Sequence, residues 1–536
     1  MSDHDARPDR IDPAGLAGLA ADLAGFTVDA VTDLLDERSI AALDRENVLP
    51  ARLRLRERDE PLAVLVRLLL LGETVAEEHV RTALPSSYEA AAAAGLLVVE
   101  HGSVRAAVDL RPTRLGEEDL LLASDPSEAA TGRGVRPDHV LGLGGASATL
   151  ARLTIRRPVS RALDLGTGSG IQALGLSAHA DRVVATDVSR RALDLAAFNR
   201  DLDREVRRVR SERRVEPSAQ VAQVARVAGP AQIELRHGSL WEPVAGEVFD
   251  LIASNPPFVI SPRGGALATY TYRDGGRSGD DLLAGLVADL PRMLAPGGIA
   301  QLLGNWEVRA GEPWQTRVEG WARGTGLDAW VIQRELLDPA QYVETWLRDG
   351  GLTPDRDGAA WDEAYEQWLA DLDSRQVAGV GFGYLVFRNQ GARPPWVRLE
   401  EITGTIAPVL GETIATVLDV VDTLERTDDA ALADWHVRVA PDVTEERHYR
   451  PGEADPQVIV LRQGGGFART VRADTVLAAV VGACDGELSL GRIAAAVAAL
   501  LDVDPGALWA QVARPVRGLL TDGLLLAPSD AAGALP

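Results

Sequence analysis

The five residues Ser254-Asn255-Pro256-Pro257-Phe258 have the types and order that group transfer to nitrogen demands. They follow the apolar run Phe249 to Ala253, which reads as a strand, so they fall at its carboxyl end. Two consecutive prolines fix the backbone and remove two N–H donors. The Asn255 side-chain oxygen and the Pro256 carbonyl can then both accept hydrogen bonds from one amino group. A nitrogen attached to a planar ring or a carbonyl is a weak nucleophile, because its lone pair is delocalised. Two acceptors on its hydrogens draw it towards a tetrahedral shape and restore its reactivity. Phe258 can stack on the planar group and aim it. Asn255, Pro256 and Phe258 are therefore the candidate catalytic residues; the plainer reading of a Pro-Pro turn, taken alone, is structural.

Upstream, Asp164-Leu165-Gly166-Thr167-Gly168-Ser169-Gly170 follows a second strand-like run and opens a helical one. Glycines at such a turn let the backbone approach a ligand and leave helix N-terminal amides pointing at it. A dinucleotide site wants G-x-G-x-x-G, and here Ile171 occupies the place of the third glycine. The spacing points away from NAD and towards S-adenosylmethionine. Asp187 ends the next strand, 21 residues beyond Gly166, where a carboxylate can accept both hydroxyls of a ribose. Ser189 supplies an N-cap for the helix that follows.

These turns need a sheet to bring them together. Arg161 to Leu165, Arg182 to Thr186, Gln232 to Arg236, Phe249 to Ala253, Ile299 to Gly304, Trp330 to Arg334 and Tyr384 to Phe387 are short apolar runs between helical stretches. They predict a mostly parallel sheet covered on both faces, over residues 136–392. Residues 337–375, rich in Trp, Asp and Glu, read as a helical insertion before the last strand.

Residues 1–135 predict a helical domain. Pro61 to Leu71, Val75 to Leu84 and Ser86 to Ala94 are helical, and Gly95 to Val99 with His101 to Val104 form a hairpin, an order like that of a winged helix. A packing or dimerisation module is the alternative. Residues 400–536 predict a second such module, with helices Thr475 to Cys484, Leu490 to Leu501 and Pro505 to Leu519 and a strand, turn and strand over 518–526. The Arg-rich stretch Arg204 to Arg214 follows a predicted helix; it is either a solvated extension, since Glu205 and Glu212 interleave it, or a contact for phosphates.

Composition narrows the field. At 536 residues the chain holds several domains, and 46% apolar with 25% charged residues is the balance of folded protein. There is no lysine, so P-loop and Schiff-base chemistry drop out. The net charge of −24 disfavours a broad footprint on nucleic acid. A single Cys484, a polar acidic start and apolar runs too short to span a bilayer suit a cytoplasmic protein with no membrane segment. The eight histidines show no helical metal spacing, so no metal is expected.

The ordered set Asp164 to Gly170, Asp187, Gly238-Ser239-Leu240, Phe249 to Phe258, Arg273-Asp274-Gly275-Gly276 and Pro296-Gly297-Gly298 resembles the class I S-adenosylmethionine-dependent methyltransferases of the Asn-Pro-Pro-Phe type. These include ribosomal-RNA guanine-N2, adenine amino and release-factor glutamine methyltransferases. The resemblance covers residues 136–392 and implies an α/β fold with a seven-stranded Rossmann-like sheet, here flanked by the two winged-helix-like modules. It implies that Asp164, Gly166, Thr167, Gly168 and Gly170 hold the methionine part of the cofactor and that Asp187 holds its ribose. Ser239 would meet the adenine, although relatives usually carry Asp there, and Asn255 borders the cofactor as well as the acceptor. Tyr270, Tyr272 and Arg273 match a loop that covers the substrate in relatives.

Three functions follow as expectations: methylation of a planar amino nitrogen of a ribosomal or transfer RNA base, methylation of a protein glutamine amide or a peptide or small-molecule amine, or a non-catalytic regulator that binds the cofactor. RNA stands first on the motif, the Arg stretch and the two modules; a basic protein partner suits the acidic chain.

Overall fold

A computed structural model describes residues 11–45, 47–116, 118–127, 130, 136–213, 231–262 and 273–528. Contacts divide the chain into two compact units, Met1–Ala151 with Arg157–Glu401, and Arg152–Arg156 with Ile402–Pro536.

The first unit is built on eight strands: β1 (Val159–Leu165), β2 (Ala180–Asp187), β3 (Gln232–His237), β4 (Phe249–Ser254), β5 (Leu294–Arg309), β6 (Asp328–Leu337), β7 (Val377–Arg388) and β8 (Val397–Glu401). Their order is β8-β6-β7-β5-β4-β1-β2-β3. β7 is antiparallel to both its neighbours, and the other pairings are parallel. All seven expected runs lie in this sheet, but the expected count of seven is one short. The eighth strand, Val-Arg-Leu-Glu-Glu, alternates two apolar with three charged residues, as suits an edge. It is too short to stand out in sequence, yet Val397 and Leu399 pack against the core.

The central strands are apolar over consecutive residues because helices cover both faces. One such helix is Asp281–Met293, whose Leu282, Leu283, Leu286, Val287 and Leu290 recur at helical spacing and pack with Leu163, Val184 and Ile252. From β1 the chain winds outward through β2 and β3, then returns to place β4 on the other side of β1. That reversal opens a crevice at the carboxyl ends of the strands.

A second core lies under the helix Arg190–Arg213, whose Leu195, Phe198, Leu202, Val206 and Val209 pack with Leu19, Leu23 and Phe26 of the N-terminal segment. The arginine-rich stretch, expected to follow a helix, is the end of this one. Arg207 pairs with Asp203, and Arg208 with Glu205 and Glu212; Arg214 lies outside the described residues. Helices Pro61–Leu65, Glu77–Ala83 and Tyr88–Ala93 precede the hairpin of Leu97–Glu100 and Ser103–Ala106, and Val75–Ala76 pairs beside Ser103. His101 and Gly102, at φ 51° and 79°, make its turn. A further hairpin, Asp109–Leu115 with Glu118–Ser124, was not anticipated; Asn199 bonds both polar groups of Ala123 in it at 2.8 Å and the Ser169 carbonyl at 2.8 Å.

The second unit holds helices Gly411–Leu424, Thr475–Gly482, Leu490–Leu501 and Pro505–Thr521 and a three-stranded antiparallel sheet over Val443–His448, Val458–Gln463 and Thr470–Ala473. The strand, turn and strand expected over 518–526 is corrected. Residues 518–521 continue the last helix, whose Leu519 and Leu520 face the core, and only Leu525–Leu526 is a strand, paired with Arg438–Val439. Among the described residues no helix is long and apolar enough to cross a membrane.

Candidate active site

A cavity of about 450 Å³ opens at the carboxyl ends of β1, β2 and β4. Gly166, Thr167 and Gly168 line it, as do Asp187, Ser239, Asn255 and Pro256. Turns spread over about ninety residues of sequence thus meet at one edge. The volume is that of a small-molecule site.

The glycine turn forms one wall. Gly166, Gly168 and Gly170 hold φ of 78°, 55° and 88°, a region open to glycine at little cost. A Cβ on Gly168 would meet nothing within 4 Å, so this face of the turn is open, whereas one on Gly170 would stand 3.2 Å from the Ala196 Cβ. Gly170 is therefore a packing residue and does not line the cavity. Asp164 lies beneath the turn, 1% exposed, and its Oδ2 accepts from the Thr167 hydroxyl at 2.6 Å and from the Ala173 amide at 2.9 Å. Burial pushes this acid up to about 7, against the pull of those two donors. Asp187 accepts from Gly168 N at 2.9 Å and Ser189 N at 2.8 Å, and burial raises it as well.

The Asn-Pro-Pro turn forms the facing wall. The Ser254 hydroxyl donates to the Leu165 carbonyl at 2.8 Å, which locks the ends of β4 and β1 together. Asn255 Nδ2 makes a long contact, 3.4 Å, with the Ser147 hydroxyl, while its Oδ1 is buried and accepts no hydrogen bond from the described residues. A buried acceptor left unpaired is uncommon and marks a place where a ligand N–H fits.

The remaining candidates lie elsewhere. Phe258 packs away from the glycine turn against Phe382 and Trp346, with ring centroids 5.6 and 6.5 Å apart. Arg273 is buried beside the wall, donating to the Trp346 carbonyl at 2.7 Å and Asp349 at 2.9 Å. Tyr270 and Tyr272 lie outside the described residues. Sequence reasoning missed Ser147, Gln172 and His139, which also line the cavity. Gln172 donates to the Ser147 carbonyl at 2.7 Å, and burial lowers the basicity of His139. The Gly144-Gly145 pair at the start of the helix Gly145–Leu153 was the available signal for Ser147. Nothing local marked His139. Among the described residues no His, Cys, Asp or Glu cluster could hold a metal ion.

With this geometry in view, the chain is similar to two kinds of curated protein. A release factor glutamine methyltransferase of Xylella fastidiosa is 32% identical over 158 residues, which cover 28% of this chain and 48% of that protein. A ribosomal protein uL3 glutamine methyltransferase of Bordetella pertussis is 32% identical over 153 residues, 27% of this chain and 43% of that one. The chain thus spans about half the length of the curated relatives it matches. Among solved structures, a ribosomal protein L11 methylase of Lactobacillus delbrueckii subsp. bulgaricus aligns at 21% identity and a TM-score of 0.23, over 37% of this chain and 76% of that one. Two family models match outside the central sheet: "Domain of unknown function (DUF7059)" over residues 23–107, and "Domain of unknown function (DUF7782)" over residues 416–527.

Proposed function

We propose that this chain is an S-adenosylmethionine-dependent N-methyltransferase whose acceptor is the side-chain amide of a glutamine in a protein. The observation that carries the reading is the meeting of the glycine turn, Asp187 and Asn255 around one cavity, with the Asn255 carbonyl oxygen unpaired. The cavity fits the cofactor. Gly166, Gly168, Asp187 and Ser239 all line it; the two glycines would leave backbone open to the methionine part, Asp187 would hold the ribose and Ser239 would meet the adenine. When bound there, S-adenosylmethionine supplies a methyl group on a sulfonium.

The chain's own residues then act on the acceptor. Asn255 Oδ1 and the Pro256 carbonyl accept the two amide hydrogens, localise the nitrogen lone pair and aim it at the methyl carbon. Alignment provides most of what this transfer would need; the nitrogen would keep one hydrogen and release the other as a proton to solvent once methylated, so no strong base is required. Phe258, expected to stack on the planar group, packs instead on Trp346 and Phe382 and does not line the cavity.

Resemblance to glutamine methyltransferases moves the amide ahead of the RNA base, which sequence reasoning placed first. The pairing of Arg207 and Arg208 with acids of their own helix removes part of the electrostatic case for RNA. We take the modules within 1–135 and 400–536 as winged-helix-like, the region 136–392 as the catalytic one, and the protein as cytoplasmic. The test is transfer of tritiated methyl from S-adenosylmethionine into a cell lysate by the full-length protein. Label that protease releases and nuclease leaves is the expected result; nuclease-sensitive label would restore the RNA base, and no label beyond background would overturn the enzyme reading.

A further inference from the structure

The helical insertion does more than fill the space before β7. It forms two helices, α1 (Pro339–Asp349) and α2 (Pro354–Ser374), and they hold the three residues that follow Pro257. Ile260 is 1% exposed and belongs to no strand, so both its backbone polar groups need partners. Its N–H donates to the Tyr342 hydroxyl of α1 at 2.8 Å, and its carbonyl accepts from the Trp368 indole of α2 at 2.9 Å. The Tyr342 oxygen also accepts from Asn305 Nδ2 of β5 at 2.9 Å. One hydroxyl therefore joins the sheet, the insertion and the exit of the Asn-Pro-Pro turn.

The neighbouring residues are held from the same side. Val259 N donates to the Arg273 carbonyl at 2.9 Å, and the Arg273 guanidinium is fixed on the Trp346 carbonyl and Asp349 of α1. The Phe258 ring rests on Trp346, also of α1. Pro256 and Pro257 have no N–H to tie themselves down, and the sheet ends at Ser254. Placement of Asn255 and Phe258 thus depends on a grip four to six residues downstream of Ser254, supplied by side chains from another part of the chain.

We propose that Tyr342 and Trp368 are positioning residues for transfer at Asn255, and that α1 and α2 form a clamp that sets the geometry of the acceptor wall. The proposal rests on the methyltransferase reading of the cavity. Neither residue lines that cavity, so the clamp acts on the acceptor wall and leaves the grip on cofactor alone. A misplacement of about 1 Å at the reacting groups lowers turnover on the order of a hundredfold.

The experiment uses full-length wild type, Tyr342→Phe, Trp368→Phe and Asn255→Ala. Calorimetry with S-adenosylhomocysteine gives affinity and stoichiometry, hydrogen exchange reports the Ile260 amide, and tritium transfer into lysate protein gives kcat and the KM for S-adenosylmethionine. Tyr342→Phe and Trp368→Phe are expected to keep wild-type affinity, a full complement of binding sites and an unchanged KM. Turnover should fall about tenfold to a hundredfold in both, with faster exchange at Ile260 in Tyr342→Phe. Turnover within twofold of wild type would overturn the clamp, as would a loss of binding sites in step with the loss of rate, which marks simple unfolding. A wild type that binds S-adenosylhomocysteine but transfers no methyl would instead overturn the methyltransferase reading, and the clamp's role with it.

Discussion

The glycine-turn wall of the cavity is held by close neighbours in sequence, whereas the Asn255 wall is held from far away. Asp164 secures Thr167 and Ala173 from three and nine residues off, and Asp187 secures Gly168 from nineteen. Ile260 is secured by Tyr342 and Trp368 from 82 and 108 residues off. A wall built from one strand, its turn and helix, and the strand next in sequence is set by local folding. A wall built from an insertion is only as well placed as the insertion, so geometry at the acceptor can change without disturbing the grip on cofactor. The two halves of the proposed reaction should then separate under mutation.

The sharpest way to break this separation is Asn255→Ala. Loss of the acceptor oxygen should lower turnover by about a hundredfold or more, while S-adenosylhomocysteine binds within twofold of its wild-type affinity by calorimetry. A collapse of binding would mean that Asn255 belongs to both walls, as its place at the border of the cofactor site allows. Asp187→Ala tests the opposite wall. It removes the partner of the Gly168 and Ser189 amides and the expected holder of the ribose. A charged hydrogen bond contributes about 1.5–3 kcal/mol, so affinity for S-adenosylhomocysteine should fall about tenfold to a hundredfold, with kcat at saturating cofactor near wild type. A fall in kcat without weaker binding would transfer Asp187 to the acceptor side.

The same contrast governs what was legible in sequence. The seven apolar runs and the order Asp164 to Gly170, Asp187, Asn255 are local signals of strand and turn, and the sheet places those turns at one edge. The eighth strand escaped because an edge strand of five residues alternates charge with apolar side chains and lacks the buried run that marks a central strand. Residues Gly518 to Thr521 show the converse error: Leu519 and Leu520 are apolar because a helix face is buried there, and adjacent leucines do not separate that case from a strand. Phe258 was expected to stack on the acceptor and Arg273 to belong to a loop over the substrate, whereas their partners Trp346, Asp349 and Phe382 come from other elements, and no spacing rule brings them together. The clamp was invisible for the same reason. Tyr342 and Trp368 look like ordinary core residues of an amphipathic hairpin until Ile260 is seen between them.

An effect on stability alone concerns Asp164, on the local wall. Burial pushes its carboxyl up to about 7 from an ordinary 3.8, although Thr167 and Ala173 favour the charged form. A folded state that raises an acid's pKa prefers the proton, so the group's contribution to stability is whole below about pH 4 and is lost as pH rises through about 7. Asp164→Asn keeps a carbonyl oxygen beneath the turn and cannot titrate. The melting temperature of ligand-free wild type, measured relative to this variant, should therefore decline between about pH 4 and about pH 8. Two curves that run parallel over that range would show that the turn's donors fully offset burial, and that the glycine wall holds its acid charged before any cofactor arrives.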